Sequence, residues 1–156
     1  MMAGWKIISG GQTGVDRAAL DAARALGLAY GGFVPKGRRA EDGPLADDYE
    51  GMTETGSASY GVRTRCNVAV ADATLILTRG APEGGTLLTL QTAEQRGKPL
   101  LCVDLERGVE ESARVVEKWL RALAPGTLHV AGPRESGRPG IDVESRALLE
   151  RVLATL

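Results

Sequence analysis

Short apolar runs alternate with longer amphipathic stretches along the whole chain. Residues 5–9 (WKIIS) read as a strand and 10–14 as a loop. Residues 15–26 follow as a helix, because Val15, Ala19, Ala22 and Leu26 recur at helical spacing while Arg17, Asp21 and Arg24 take the other side. Gly27 stops that helix, as glycine commonly does just past a helix end. Residues 28–34 form a weaker strand interrupted by Gly31 and Gly32, and 35–59 is the least regular part of the chain. A helix is expected over 60–71 and the clearest central strand over 74–78 (TLILT). A second glycine loop covers 79–85, then a helix runs over 86–96, closed by Gly97. Residues 99–103 form a buried strand, and 110–123 an amphipathic helix with Ala113, Val116, Leu120 and Leu123 on one side. A last strand at 127–131 leads through a polar turn region, 133–140, to a helix over 143–153 that Asp142 is placed to cap.

Strands alternating with helices of this length imply parallel βαβ units. The expected fold is a Rossmann-like α/β three-layer domain, a mostly parallel sheet of about five strands with helices on both faces. No internal repeat or linker divides it, so residues 1–156 read as one domain. In an open parallel sheet, ligands bind beyond the carboxyl ends of the strands, where strand order reverses. That rule points to the loops after the first and third strands, and those are the two glycine loops.

Composition narrows the functions. Glycine accounts for 21 of 156 residues, about twice ordinary usage, and it clusters between apolar segments as tight loops do. The 19 basic and 20 acidic residues give a net charge of −1, which argues against a general binder of nucleic acid or of a membrane surface. No segment reaches the roughly 18 apolar residues of a membrane span. Cys66 and Cys102 are far apart in sequence and His129 is the only histidine, so a zinc site is not expected. Two lone cysteines and no leader-like N-terminus fit a cytoplasmic protein. His129 falls in a strand far from the glycine loops, and the expectation is a structural residue.

Four blocks could carry chemistry. In SGGQTGVD, Gly10, Gly11 and Gly14 bring a strand straight into a helix and let a ligand approach backbone N–H groups. Thr13 is placed to cap the helix, with Asp16 three residues on as its capping-box partner. The bland reading is a tight, well-capped turn. The spacing is not GxGxxG and no acidic residue closes the second strand, so NAD is disfavoured. In RGAPEGGT, Gly84 and Gly85 repeat the arrangement, with Thr86 placed to cap the helix and offer a hydroxyl. In YGVRTRCNVAVAD, Tyr60, Arg63, Thr64 and Asn67 share one helix face. That face is either solvated or a crevice wall, where Arg63 could grip phosphate and Asn67 could orient a ligand. In VPKGRRAEDG, Lys36 and Arg38 add cations at the same sheet edge, unless the loop is simply an exposed mixed-charge run. No nucleophile–base pair stands out.

The blocks GGQTGVDRAALDAA, GGFVPKGRRAEDGPL, YGVRTRCNVAVADATLIL and GAPEGGTLLT together resemble the putative molybdenum carrier protein family, over about residues 6–103. That family is part of a Rossmann-like group, the SLOG superfamily, which also holds the lysine-decarboxylase-like phosphoribohydrolases. The resemblance implies a homo-oligomer and, for carrier members, binding of molybdenum cofactor, with the glycine loops taking phosphate or oxyanion. The phosphoribohydrolases resemble a PGGxGTxEE-like pattern with acids just after the glycine loop. Here Leu88 and Thr89 stand there, which argues against hydrolysis. The expected function is therefore a cytoplasmic binding or carrier protein for an anionic, phosphate-bearing small molecule. Cleavage of nucleoside monophosphates, or sensing of a nucleotide derivative, is the alternative.

Overall fold

Six strands hydrogen-bond side by side in the computed structural model, which describes residues 4–156. They are β1 (Lys6–Ile8), β2 (Ala29–Val34), β3 (Met52–Glu54), β4 (Ala73–Thr78), β5 (Leu100–Asp104) and β6 (Thr127–Ala131). Every pairing is parallel, in the order β3-β2-β1-β6-β4-β5. The helices are α1 (Val15–Ala25), α2 (Tyr60–Val70), α3 (Gly84–Gln95), α4 (Val109–Leu123) and α5 (Ile141–Ala154). α1 and α4 each pack against α5 on one face of the sheet, and α2 packs against α3 on the other.

Two features differ from the sequence reading. The sixth strand, β3, lies inside the stretch read as irregular, where it pairs with β2 at the sheet edge. The last strand is inserted between β1 and β4, with Ile8 opposite His129 on one side and Thr74 opposite His129 on the other. The two glycine loops therefore do not follow neighbouring strands. They flank β6, and the loop after β6 joins them at the same edge.

Strand alternation sorts the buried residues into two different interiors. Leu75, Leu77, Leu128 and Val130 meet Val15, Ala19, Val116, Leu120, Leu148 and Leu149 in an apolar core under α1, α4 and α5. The opposite side of β4 and β6 carries Thr74, Thr78 and His129, all buried. There α2 contributes buried Arg63, Thr64 and Asn67, and α3 contributes Thr86, Thr89 and Thr92. Burying polar groups costs free energy unless they are hydrogen-bonded. Ile8, Val68 and Ile76 are buried on this side too, but the concentration of polar groups among them is a feature to be explained by what it faces. Among the described residues, no helix is long and apolar enough to cross a membrane.

Candidate functional site

A cavity of about 450 Å³ opens at the carboxyl ends of β1, β6 and β4, between the sheet and α2 with α3. Of the residues singled out in the sequence, Gly10, Arg63, Asn67, Gly84, Gly85 and Thr86 line it. Gly11, Thr13, Gly14, Lys36 and Arg38 are not among its lining residues.

The second glycine loop is built to leave amides free. Thr78 Oγ1 donates to the Gly80 carbonyl at 3.2 Å, and Asp104 accepts from the Gly80 amide at 3.2 Å, which fixes the turn out of β4. α3 then starts at Gly84 with Glu83 at the N-cap and no side-chain cap bond. Thr86 is inside the first turn, not the cap expected. The first amides of a helix have no intrahelical partner. Gly84 and Gly85 line the cavity, so the uncapped start of α3, the positive end of the helix dipole, lies at its wall.

The first glycine loop meets the same cavity but is filled largely by the protein itself. Asp16 does not answer Thr13 in a capping box, and α1 has Gly14 as its N-cap with no side-chain bond. The Asp16 carboxylate instead accepts from the Gln12 amide at 3.4 Å, and the Gly11 amide donates to Ser9 Oγ at 3.4 Å. Thr13 lies at the rim. Its hydroxyl donates to Glu41 and accepts from the Glu135 amide at 3.1 Å. A Cβ on Gly11 would stand 3.0 Å from Val34 and 3.1 Å from Leu45, so this glycine packs against side chains, not ligand space.

Arg63 is 7% exposed and crosses between these loops. Its Nη1 donates to the Gly10 carbonyl and lies 3.9 Å from Asp16, and its Nε donates to Thr64 Oγ1 at 3.2 Å. Burial raises the Asp16 pKa, and the Arg63 guanidinium and the loop amides only partly offset that. Asn67 lines the cavity with both of its amide ends already occupied. It accepts from the Phe33 amide at 2.8 Å and donates to the Phe33 carbonyl at 3.0 Å, holding β2 as a neighbouring strand would. The Arg38 guanidinium closes its own loop, donating to the carbonyls of Leu45, Ala46 and Tyr49 at 3.0, 2.8 and 2.9 Å. Lys36 is exposed in the turn after β2.

The sequence reading missed four contributors. Arg134 and Arg138, from the loop after β6, line the cavity, as do Gln12 and His129. Arg138 Nε donates to the Arg79 carbonyl at 2.9 Å, and its Nη2 stands 3.7 Å from Glu83. Arg134 sits 5.4 Å from the Tyr60 ring centroid, a ring that Arg39 and Arg63 also approach, at 4.4 and 5.3 Å. Three guanidiniums thus border the cavity against the carboxylates of Asp16 and Glu83. His129 is not remote from the glycine loops, because β6 runs between β1 and β4. Burial, and the nearby Arg63 charge, push its pKa down to about 3, and Thr74 Oγ1 lies 3.3 Å from Nδ1. The ring is neutral at ordinary pH and adds polarity without charge. Among the described residues, no group of three or more metal-ligating side chains comes together.

Glu41 ties the rim together. Besides Thr13, it accepts from the Ser136 amide at 3.2 Å and from the Ser136 hydroxyl. Partial burial pushes its carboxyl up, but the hydrogen bonds from Ser136 and Thr13 and the charge of Arg134 outweigh this and hold it below the ordinary 4.5. Its contribution to stability is therefore complete above pH 4.5 and is lost as pH falls through the lowered native value. Replacing Glu41 with Gln should flatten the acid limb of a melting-temperature profile. A profile unchanged below pH 4.5 would show that the clasp does not hold in solution.

Comparison with known proteins places this arrangement in a lineage. No curated protein matches the chain. A crystal structure described as a putative molybdenum carrier protein from Syntrophus aciditrophicus SB is similar to it, with 44% sequence identity and a TM-score of 0.92. The alignment covers 95% of this chain and 94% of that one. The family model described as the circularly permutated YpsA SLOG family matches residues 7–153, from within β1 into the last helix. The chain belongs to the circularly permutated YpsA SLOG family.

Proposed function

We propose that this protein binds an anionic, phosphate-bearing small molecule in the cavity and serves as its carrier, with molybdenum cofactor (molybdopterin) as the cargo. The observation that carries the reading is the open start of α3, with no side-chain cap, in a cavity that Arg134 and Arg138 also line. Uncapped amides at a helix N-terminus with arginines nearby are a phosphate site by their chemistry. The volume of about 450 Å³ lies within the range of small-molecule pockets. The name of the Syntrophus protein supports molybdenum cofactor as the cargo. That cofactor is a pterin dithiolene phosphate holding molybdate. Its phosphate suits α3, and its ring suits the polar wall formed by the first loop.

The direct test is mass spectrometry of whatever small molecule co-purifies, with molybdenum analysis of the same sample. A pterin phosphate mass accompanied by molybdenum is expected. Protein that ignores pterin phosphates but takes up a nucleotide would overturn the cargo, and release of free base from a nucleoside monophosphate would overturn the carrier role. Replacing Arg134 and Arg138 together with Ala should weaken phosphate-ligand binding about tenfold or more, since hydrogen bonds to charged groups are worth roughly 1.5–3 kcal/mol each. Arg138 also bonds the Arg79 carbonyl, so a modest drop in melting temperature should accompany the loss, and binding is compared well below it. An unaltered dissociation constant would remove them from the site.

A further inference from the structure

The phosphate site leaves one wall of the cavity with the wrong charge for its purpose. Asp16 lines the same cavity, with its side chain 9% exposed. The Gln12 amide at 3.4 Å and Arg63 at 3.9 Å approach its Oδ2, and the Gly10 amide also bonds the carboxylate, which offers about four lone-pair sites in all. Beside it Gln12, 4% exposed, also lines the cavity. Gln12 Oε1 accepts from the Thr13 amide at 3.0 Å and the Glu41 amide at 2.8 Å. Two N–H donors on that atom settle which end of the side chain is oxygen. The other end, Nε2, is a buried donor with no partner among the described residues. Buried unpaired donors are costly and rare, so this one calls for an acceptor.

One loop therefore presents a buried acceptor and a buried, unused donor. They stand on the β1 side of the cavity, and the free amides of α3 stand on the β4 side. β6 separates the two, so the loops leave the sheet two strand spacings apart, about 10 Å. A ligand reaching both ends needs a phosphate at one and a polar heterocycle edge at the other.

We infer that Asp16 and Gln12 are specificity-determining residues that read the edge of a 2-amino-4-oxopyrimidine ring, as carried by a pterin or a guanine, while α3 holds the ligand's phosphate. The inference rests on the phosphate reading above. In this ring the exocyclic amino group and the adjacent ring N–H form a pair of donors that matches the two oxygens of a carboxylate. The neighbouring oxo group is an acceptor and suits Gln12 Nε2. An adenine edge turns a ring-nitrogen lone pair toward the carboxylate, and a hypoxanthine edge lacks the amino donor.

Calorimetric titration of the full chain separates these ligands. The probes are guanosine monophosphate against inosine monophosphate, hydroxymethylpterin phosphate against its 2,4-dioxo lumazine counterpart, and inorganic phosphate. The amino-bearing member of at least one pair should bind about tenfold or more tightly than its partner, the discrimination expected of a good bidentate contact. The pair that binds more tightly tells pterin from guanine. Asp16→Asn should bring the ratio close to one, whereas a purely structural Asp16 would weaken both members alike and leave the ratio intact. Phosphate ligands that bind without any preference for the amino group would overturn this inference and leave the phosphate site standing. Failure of every phosphate-bearing probe, inorganic phosphate included, would overturn both. The wild-type ratios decide the matter even if the variant does not fold.

Discussion

Arg63→Ala is expected to lower the unfolding free energy by about 3–5 kcal/mol, the usual cost of removing one partner from a buried ion pair. The pair with Asp16 has both side chains 9% exposed at 3.9 Å, and Arg63 also bonds the Gly10 carbonyl and Thr64. Its loss leaves the Asp16 carboxyl buried without its largest stabilising charge. The native Asp16 pKa, already raised, should then rise further. A carboxyl whose folded pKa lies above the unfolded value binds more protons when folded, so stability falls as pH rises from 3.8 toward the raised native value. The variant should thus lose more stability near neutrality than in acid. Urea unfolding at several pH values measures both effects. Asp16→Asn in the same background should recover part of the loss, and the double-mutant cycle isolates the coupling. A variant as stable as wild type at neutral pH would mean that the pair does not form.

Gly14→Ala should be comparably damaging for a different reason. Gly14 has φ 79° and ψ −132°, a conformation that costs a residue with a Cβ about 1–3 kcal/mol. The added Cβ would also overlap the Pro133 carbonyl oxygen and lie 2.8 Å from the Glu135 nitrogen, both backbone atoms that cannot swing aside. Overpacking typically adds 1–3 kcal/mol, so the total is roughly 2–6 kcal/mol. The clash falls on the segment that carries Arg134, so affinity for phosphate ligands should drop together with stability. Unfolding curves and calorimetry on one preparation test this. A variant within about 0.5 kcal/mol of wild type, the ordinary scatter of surface substitutions, would show that the turn has room to spare.

The sequence and the structure agree most closely where the signal is local. α1 and α4 are amphipathic against one apolar core, so periodicity finds them to within a residue or two. β3 is different. It is three residues, Met52, Thr53 and Glu54, half-buried or exposed at a sheet edge, and it has no apolar run to betray it. The place of β6 is also hidden, because strand order is decided by long-range pairing that leaves no mark on the strand itself. That one insertion explains most of what was missed at the site. It brings His129 to the cavity floor, and it makes the loop with Arg134 and Arg138 a third wall.

The candidate residues divide along the same line. The glycine loops and the Arg63 face were legible because glycine pairs at strand–helix turns and a polar helix face have few local explanations. What each side chain does there was not legible. Thr13 and Asp16 have capping-box spacing, yet Thr13 is drawn to Glu41 and Glu135 across the rim, and Asp16 turns inward to the loop amide of Gln12 and toward Arg63. Arg38 has the charge of a phosphate ligand, but three carbonyls of its own loop take its donors.

The claim at the centre of this account is that the start of α3 holds phosphate inside a cavity shared by two glycine loops. A crystal structure of the protein with its tightest-binding phosphate ligand tests it most directly. The phosphate should lie within hydrogen-bonding distance of the Gly84 and Gly85 amides, with Arg134 or Arg138 beside it. A phosphate bound at the 10–14 loop, or outside the cavity altogether, would contradict it.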